Sequence, residues 1–262
     1  MPENKESNRN KILELFHYRR LPWLLQYAEQ ADRDKLFDSL LTLQEAIYAL
    51  DHQLETNWDI SLSHLKPYWI EIYRNLDLIG LSPNQQRTWT AEIDRYQSRE
   101  LDLRSGKSPL KYSLEDLYCF KSCDVRLMRR IIYWRNPALN QQLKFSEWTE
   151  FDLITEVNDD IEDIFEDLQS LNANRFLFSL AELGFSETAA RYEQFIKAQV
   201  DKFLSKMHSS TSTMKEQMSI WVGEVAGATI ELLLGNLTSL DKDQIDKANV
   251  IKHYQLAKLT SA

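Results

Sequence analysis

Glycine and proline are scarce, six of each in 262 residues, and none is clustered inside the long periodic stretches. That leaves little material for the turns of a β-protein, so the chain reads as all-α. Cysteine is scarcer still. Cys119 and Cys123 are the whole supply, four residues apart on what reads as one helix. Two cysteines make no disulfide framework, and without a second pair or a histidine partner they make a poor zinc site, so both read as reduced core thiols. His17, His52, His64, His208 and His253 show no E-x-x-H or H-x-x-x-H spacing, which disfavours a carboxylate-bridged di-iron bundle. Positive charge is also short: 31 Lys+Arg against 40 Asp+Glu, net −9. The basic footprint of a nucleic-acid binder is therefore missing. No charge-free apolar run reaches about eighteen residues, and the polar start MPENKESNRNK is no signal peptide. The expectation is a soluble, cytoplasmic protein with no transmembrane segment.

What the chain does have is negative charge concentrated on one helix. In Phe151 to Asn174, Val157, Ile161, Ile164, Phe165, Leu168 and Leu171 recur at spacings of three and four and predict one buried stripe. The other face carries Asp152, Glu156, Asp159, Asp160, Glu162, Asp163, Glu166 and Asp167 with no lysine or arginine between Asp152 and Asp167. Like charges at i, i+4 repel by ~0.2–0.5 kcal/mol per pair, so something outside the helix should neutralise them. Asp159, Asp163 and Glu166 project side by side, and Asn158 adds a neutral oxygen. Such a row suits a hard divalent cation, Mg²⁺ first, which binds through one or two carboxylates and leaves positions for water and phosphate. A solvated face of an ordinary amphipathic helix is the competing explanation.

The remaining segments predict about nine to eleven helices in one domain over residues 11–238, with residues 1–10 disordered and 239–262 a polar tail. A first helix starts near Lys11 and breaks at Pro22. Arg19 and Arg20, just before that break, either reach a phosphate or lie on the surface. Asp32 to Thr56 is the next long helix, with Gln44, Tyr48, Asp51 and Glu55 as a polar row beside its leucine stripe. Pro67 to Gly80 and Ser82 to Leu103 follow, the latter capped by Ser82 with Pro83 in its first turn. RSGKSPLKYS (Arg104 to Ser113) is a loop carrying Arg104, Lys107 and Lys111, either a basic lid or a solvated connection. Ser113 caps a helix whose apolar stripe holds Lys121 and Asp124, charged residues that are seldom placed there without a partner. A mutual Lys121–Asp124 ion pair is the structural explanation; a ligand phosphate is the functional one. Arg126, Arg129 and Arg130 add positive charge in the next turns. Ser186 to Met207 and Met218 to Leu237 are the last helices, joined by a flexible HSSTSTMKEQ.

The words DDIED (Asp159 to Asp163) and N-D-x-x-E-x-x-x-E (Asn158, Asp159, Glu162, Glu166) resemble the second metal-binding motif of class I isoprenoid synthases. The first matches the DDxxD of trans-prenyl diphosphate synthases, and the second approaches the NSE triad of terpene cyclases. AIYALDHQLET resembles the first acidic motif of squalene and phytoene synthases, with Asp51 and Glu55 as its acids, although Asp34 and Asp38 offer the same spacing. KSCDVRL resembles the motif whose lysine contacts the substrate diphosphate, and Lys121 precedes Asp159 by 38 residues.

The resemblance implies a helical bundle around a central cavity with Mg²⁺ held by Asp51, Glu55, Asn158, Asp159, Asp160, Glu162, Asp163 and Glu166. It further implies Lys121, Arg126 and Arg175 on the diphosphate of a prenyl substrate, with Asp159, Asp163 and Lys121 as the catalytic set; a homodimer is compatible with it. Chain-elongating members use an arginine pair after the first motif and an N-terminal glycine–lysine–arginine word. This chain has neither, so the expected reaction is diphosphate ionisation followed by cyclisation. A head-to-head condensation of the squalene type is the alternative within the family, and a non-catalytic helical interaction protein the alternative outside it.

Overall fold

The computed structural model describes residues 3–57, 60–104, 107–167, 174–207 and 212–239. They form fourteen α-helices with no strand among the described residues. In order these are α1 (Glu3–Tyr18), α2 (Leu21–Leu25), α3 (Gln30–Thr56), α4 (Leu62–Ile79), α5 (Pro83–Trp89), α6 (Ala91–Arg104), α7 (Leu114–Lys121), α8 (Cys123–Arg135), α9 (Leu139–Gln142), α10 (Thr149–Glu162), α11 (Ile164–Asp167), α12 (Arg175–Leu183), α13 (Phe185–Met207) and α14 (Thr213–Ser239). The number exceeds the expected nine to eleven because periodicity runs straight through short breaks. Ser82 to Leu103 divides at Thr90, and the stretch holding both cysteines divides at Ser122, so Cys119 and Cys123 lie on different helices. The acidic helix divides at Asp163, which caps α10 before α11 begins.

The N-terminal expectation needs correction: α1 begins at Glu3, not near Lys11. Similarly, α4 starts at Leu62 and keeps Pro67 inside it, and α14 starts at Thr213, within the run expected to be flexible. Local capping chemistry fixes several other boundaries. The Ser82 hydroxyl accepts the Gln85 N–H at 3.4 Å while the Gln85 side chain accepts the Ser82 N–H at 2.9 Å, a reciprocal cap on α5. The Ser113 hydroxyl accepts the Asp116 N–H at 3.0 Å and starts α7. Gly80, at φ 94°, closes α4 in the left-handed conformation that glycine adopts without a Cβ penalty.

Helix α10 lies at the centre, packed against α14, α7, α13 and α12. Ile154, Val157 and Ile161 are fully buried on it, each contributing about 1.5–3 kcal/mol by leaving water. Ile164 joins them, but Phe165 is half exposed and is no part of the stripe; the break at Asp163 rotates α11 away from the phase that a continuous helix would keep. Leu168 and Leu171 lie outside the described residues.

The far end of the core is aromatic, with Trp148 edge-on to Phe151 and Trp23. By length and composition Thr213–Asn236 is apolar enough to cross a membrane. It is not a charge-free run, since Lys215, Glu216, Glu224 and Glu231 interrupt it. In the fold that helix runs along α10 and α13, burying Met214, Met218, Val222 and Leu233.

Candidate functional site

A central helix surrounded on several sides cannot leave a carboxylate face in water. Glu150, Asp152, Glu156 and Asp160 are all buried, so the solvated-face explanation fails for that row. The neutralising charges come from other helices. Arg129 of α8 pairs with Asp152 and stacks its guanidinium 4.1 Å from the Trp148 ring. Lys206 of α13 pairs with Glu150 at 2.5 Å. Lys121, the last residue of α7, pairs with Asp160, whose other oxygen accepts the Tyr118 hydroxyl at 2.9 Å and the Arg175 N–H at 2.9 Å. The expected Lys121–Asp124 pair does not form; Asp124 instead accepts the Gln44 side-chain amide at 2.6 Å.

Arg19 supplies the remaining cation. It is 2% exposed, which corrects the surface reading, and its guanidinium meets Glu156 at 2.9 Å and Asp159 at 2.6 Å. The backbone explains the reach. The Arg19 N–H still donates to the Leu15 carbonyl at 2.8 Å, so its side chain leaves on the phase of α1, and Arg20 turns the chain just after it at φ 61°. The Arg19 carbonyl accepts from Arg129 at 2.7 Å, which locks that turn to the acidic helix.

Beyond these pairs a cavity of about 160 Å³ opens between α10 and α3. Its polar wall carries Asp159, Asp160, Asp163 and Glu156 from the acidic segment, with Asp167 beside them. Facing them are Asp51 and Glu55 of α3 and Asp124 of α8, so among the described residues eight carboxyl groups share the cavity with two cations, Arg19 and Lys121. Leu15, Ile47, Leu50, Ile93 and Val125 make its apolar wall, with Tyr48 and Tyr96 between the two. The Tyr96 hydroxyl donates to Asp51 at 2.6 Å.

The excess of negative charge shows in the acidities. Burial pushes Asp51 up to about 6 against the opposing Tyr96 hydrogen bond. Burial, then Asp51 and Glu100, pushes Glu55 up to about 9. Glu156 and Asp159 are also raised, burial outweighing the pull of Arg19. Asp163, exposed at the mouth, is pushed up to about 7 by partial desolvation and by Asp167 and Asp159. Lys121 is raised, because Asp160 and Asp167 overcome the cost of its burial. For each of these carboxyl groups loss of water is the larger cause and neighbouring carboxylates add to it.

Other expected site residues lie elsewhere. Asn158 accepts from Thr229 of α14 at 3.0 Å and donates to Glu162 at 3.3 Å, and Glu162 and Glu166 are exposed and do not line the cavity. Arg126 is directed at Glu92 and the Cys119 sulfur. The Arg175 guanidinium donates to the Pro109 carbonyl at 2.9 Å, so this residue reaches the acidic cluster through its backbone N–H alone. Lys107 and Lys111 are tied to Asp102 at 2.6 and 3.3 Å and do not line the cavity, while the Arg104 side chain and residues 105–106 lie outside the described residues. Asp34 and Asp38 are well exposed and do not line the cavity.

The donor chemistry fits Mg²⁺: hard carboxylate oxygens, under-neutralised, on two facing helices. Among the described residues no three ligands form a ready-made metal group, and Mg²⁺ usually binds through one or two carboxylates plus water and phosphate oxygens, not through an all-protein cage. Set against protein-family models, curated proteins and solved structures, the chain matches none.

Proposed function

We propose that this protein is a Mg²⁺-dependent class I isoprenoid synthase that ionises a prenyl diphosphate. The observation that carries the reading is the meeting of two separately encoded acidic words. Asp51 and Glu55 of α3 face Asp159 and Asp163 across one cavity, with Lys121 in its wall. In this reading those four carboxylates hold the metal ions. The ions supply charge neutralisation and polarisation of the departing diphosphate. Lys121 has three N–H donors, of which Asp160 takes one, and the others serve a phosphate oxygen. Asp160 accepts from Lys121, Tyr118 and the Arg175 N–H, and in this reading it positions the lysine and is not itself a ligand. Heterolysis of the allylic C–O bond sends its electron pair to the diphosphate and leaves a cation on the hydrocarbon, beside the apolar wall and Tyr48.

The cavity also narrows the reading. Its apolar side comes from α1, α3, α6 and α8, whereas the NSE-like set Asn158, Glu162 and Glu166 stays outside. That favours the DDxxD-like word as the functional one. Cyclisation remains our preferred outcome over elongation because no second, homoallylic diphosphate site is encoded. About 160 Å³ is below the roughly 300–1,000 Å³ usual for ligand pockets. That volume favours a second reading in which the protein binds the diphosphate head group without turnover.

The test is incubation of the purified protein with C10, C15 and C20 prenyl diphosphates and Mg²⁺, following released diphosphate and hydrocarbon products, beside an Asp159→Ala, Asp163→Ala control. Metal-dependent release that vanishes in the control is the expected result. Mg²⁺-dependent thermal stabilisation by diphosphate without release identifies the binding-only protein. Neither release nor stabilisation overturns both readings.

A further inference from the structure

Lys121 reaches the cavity from the last turn of α7, and the same helix sends Tyr118 to the same carboxyl group. The two residues are three apart, so they leave one face of the helix together. Lys121 takes Oδ1 of Asp160, while the Tyr118 hydroxyl donates to Oδ2 at 2.9 Å. The Arg175 N–H, at the start of α12, also donates to Oδ2 at 2.9 Å. Two donors match the two lone pairs of that oxygen.

Tyr118 is itself held. Its hydroxyl lies 3.1 Å from the Tyr192 hydroxyl of α13, and the two rings meet edge-on with centroids 6.4 Å apart. A hydroxyl has one proton, and a carboxylate paired with an ammonium can only accept. Tyr118 therefore gives its proton to Asp160, and Tyr192 is the donor between the two tyrosines. Burial, and then the charge of Asp160, push both phenols up, which keeps them as donors. Tyr118, Tyr192 and Asp160 are all buried, and neither tyrosine lines the cavity.

Resting on the function proposed above, we propose that Tyr118, backed by Tyr192, is a positioning residue for Lys121 and sets how the lysine meets the diphosphate. With Oδ2 filled, Asp160 engages the ammonium through Oδ1 alone, and two of its three N–H donors remain for phosphate oxygens. Without the Tyr118 hydroxyl, Oδ2 has an open site beside the ammonium. Lys121 then bridges both oxygens of Asp160, gives up a second N–H and draws back from the cavity. The tyrosine touches neither metal nor substrate and acts through the lysine.

The experiment is calorimetric titration of inorganic diphosphate into the whole protein at saturating Mg²⁺. It compares the native chain, Tyr118→Phe and Tyr192→Phe, each with and without Lys121→Met, with melting curves to report folding. Tyr118→Phe should weaken diphosphate binding by about tenfold, the scale of one charge-assisted hydrogen bond, and leave titration with Mg²⁺ alone as in the native chain. Tyr192→Phe should give a smaller loss of the same kind. In the Lys121→Met background neither change should cost anything further, because a positioning residue has no effect once the residue it positions is gone. If Tyr118→Phe does not fold, the cycle with Tyr192→Phe decides. Native diphosphate affinity in the folded tyrosine variant, an equal loss in both backgrounds, or a parallel loss of Mg²⁺ binding overturns the inference and leaves the function standing. A native chain that binds no diphosphate in the presence of Mg²⁺ overturns both.

Discussion

The two ends of α10 carry the same kind of side chain in opposite electrostatic states. At its start, Glu150 and Asp152 each have a dedicated cation, Lys206 and Arg129. At its end, Glu156, Asp159 and Asp163 face Asp51, Glu55 and Asp124 with Arg19 and Lys121 as the only cations lining the cavity among the described residues. A buried carboxylate with its own partner holds helices together; carboxylates crowded together in excess of their partners store unfavourable charge that a ligand can relieve. The first arrangement is structural, and the second is the candidate site. Neutralising changes should therefore have opposite effects at the two ends.

The largest effect is expected at the paired end. Arg129 is fully buried, pairs with Asp152, holds the Arg19 carbonyl and stacks on Trp148. Arg129→Met strands Asp152 and should cost about 3–5 kcal/mol in urea unfolding. Adding Asp152→Leu should recover much of that loss, because the stranded charge goes with it. A cost below about 1 kcal/mol for the single variant would mean that the two ends do not differ.

At the open end the sign reverses. Glu55→Gln removes a carboxyl group that burial and Asp51 already push up to about 9. Stability at pH 9 should rise or hold, while Mg²⁺-plus-diphosphate stabilisation weakens. A loss of stability comparable to that of Arg129→Met would place Glu55 among the paired groups.

The pH dependence follows from the same raised acidities. Asp51, Glu55 and Asp163 have folded values of about 6, 9 and 7 against ordinary values near 4. The folded state therefore binds more protons than the unfolded chain between roughly pH 4 and 9, and stability falls as pH rises through that window. The melting temperature should drop by several degrees from pH 5.5 to pH 8.5. Mg²⁺ with diphosphate should flatten the slope by favouring the deprotonated carboxylates. A melting temperature that rises over this range would contradict the excess of charge.

Much of this was legible before any coordinates. Composition gave the all-helical class, and the row Gln44, Tyr48, Asp51, Glu55 already marked the polar side of α3. Periodicity could not see the breaks at Thr90, Ser122 and Asp163, because apolar spacing persists across a one-residue kink. It also could not rank Arg19 above Arg20. The decisive feature there is a left-handed residue before Pro22, and only tertiary packing makes an arginine accept that conformation. Arg126 and Arg175 were misplaced for a related reason: helical phase says which face a side chain leaves from, not which partner waits there. Glu92 captures the first and the Pro109 carbonyl the second.

The smallest expected effect separates the two overlapping acidic words. Asp159 and Asp163 line the cavity, while Glu162 and Glu166, each three residues further along, are exposed outside it. Glu162→Gln with Glu166→Gln should change stability by no more than about 0.5 kcal/mol, the range usual for surface sites. The pair should also leave Mg²⁺-plus-diphosphate stabilisation as it is in the native chain. The control is Asp159→Asn with Asp163→Asn, which should abolish that stabilisation. If instead the glutamate pair abolishes it and the aspartate pair does not, the ligands are those of the cyclase-type triad. The end of α10 would then have to rotate to present them, which the Asn158–Thr229 hydrogen bond at 3.0 Å opposes.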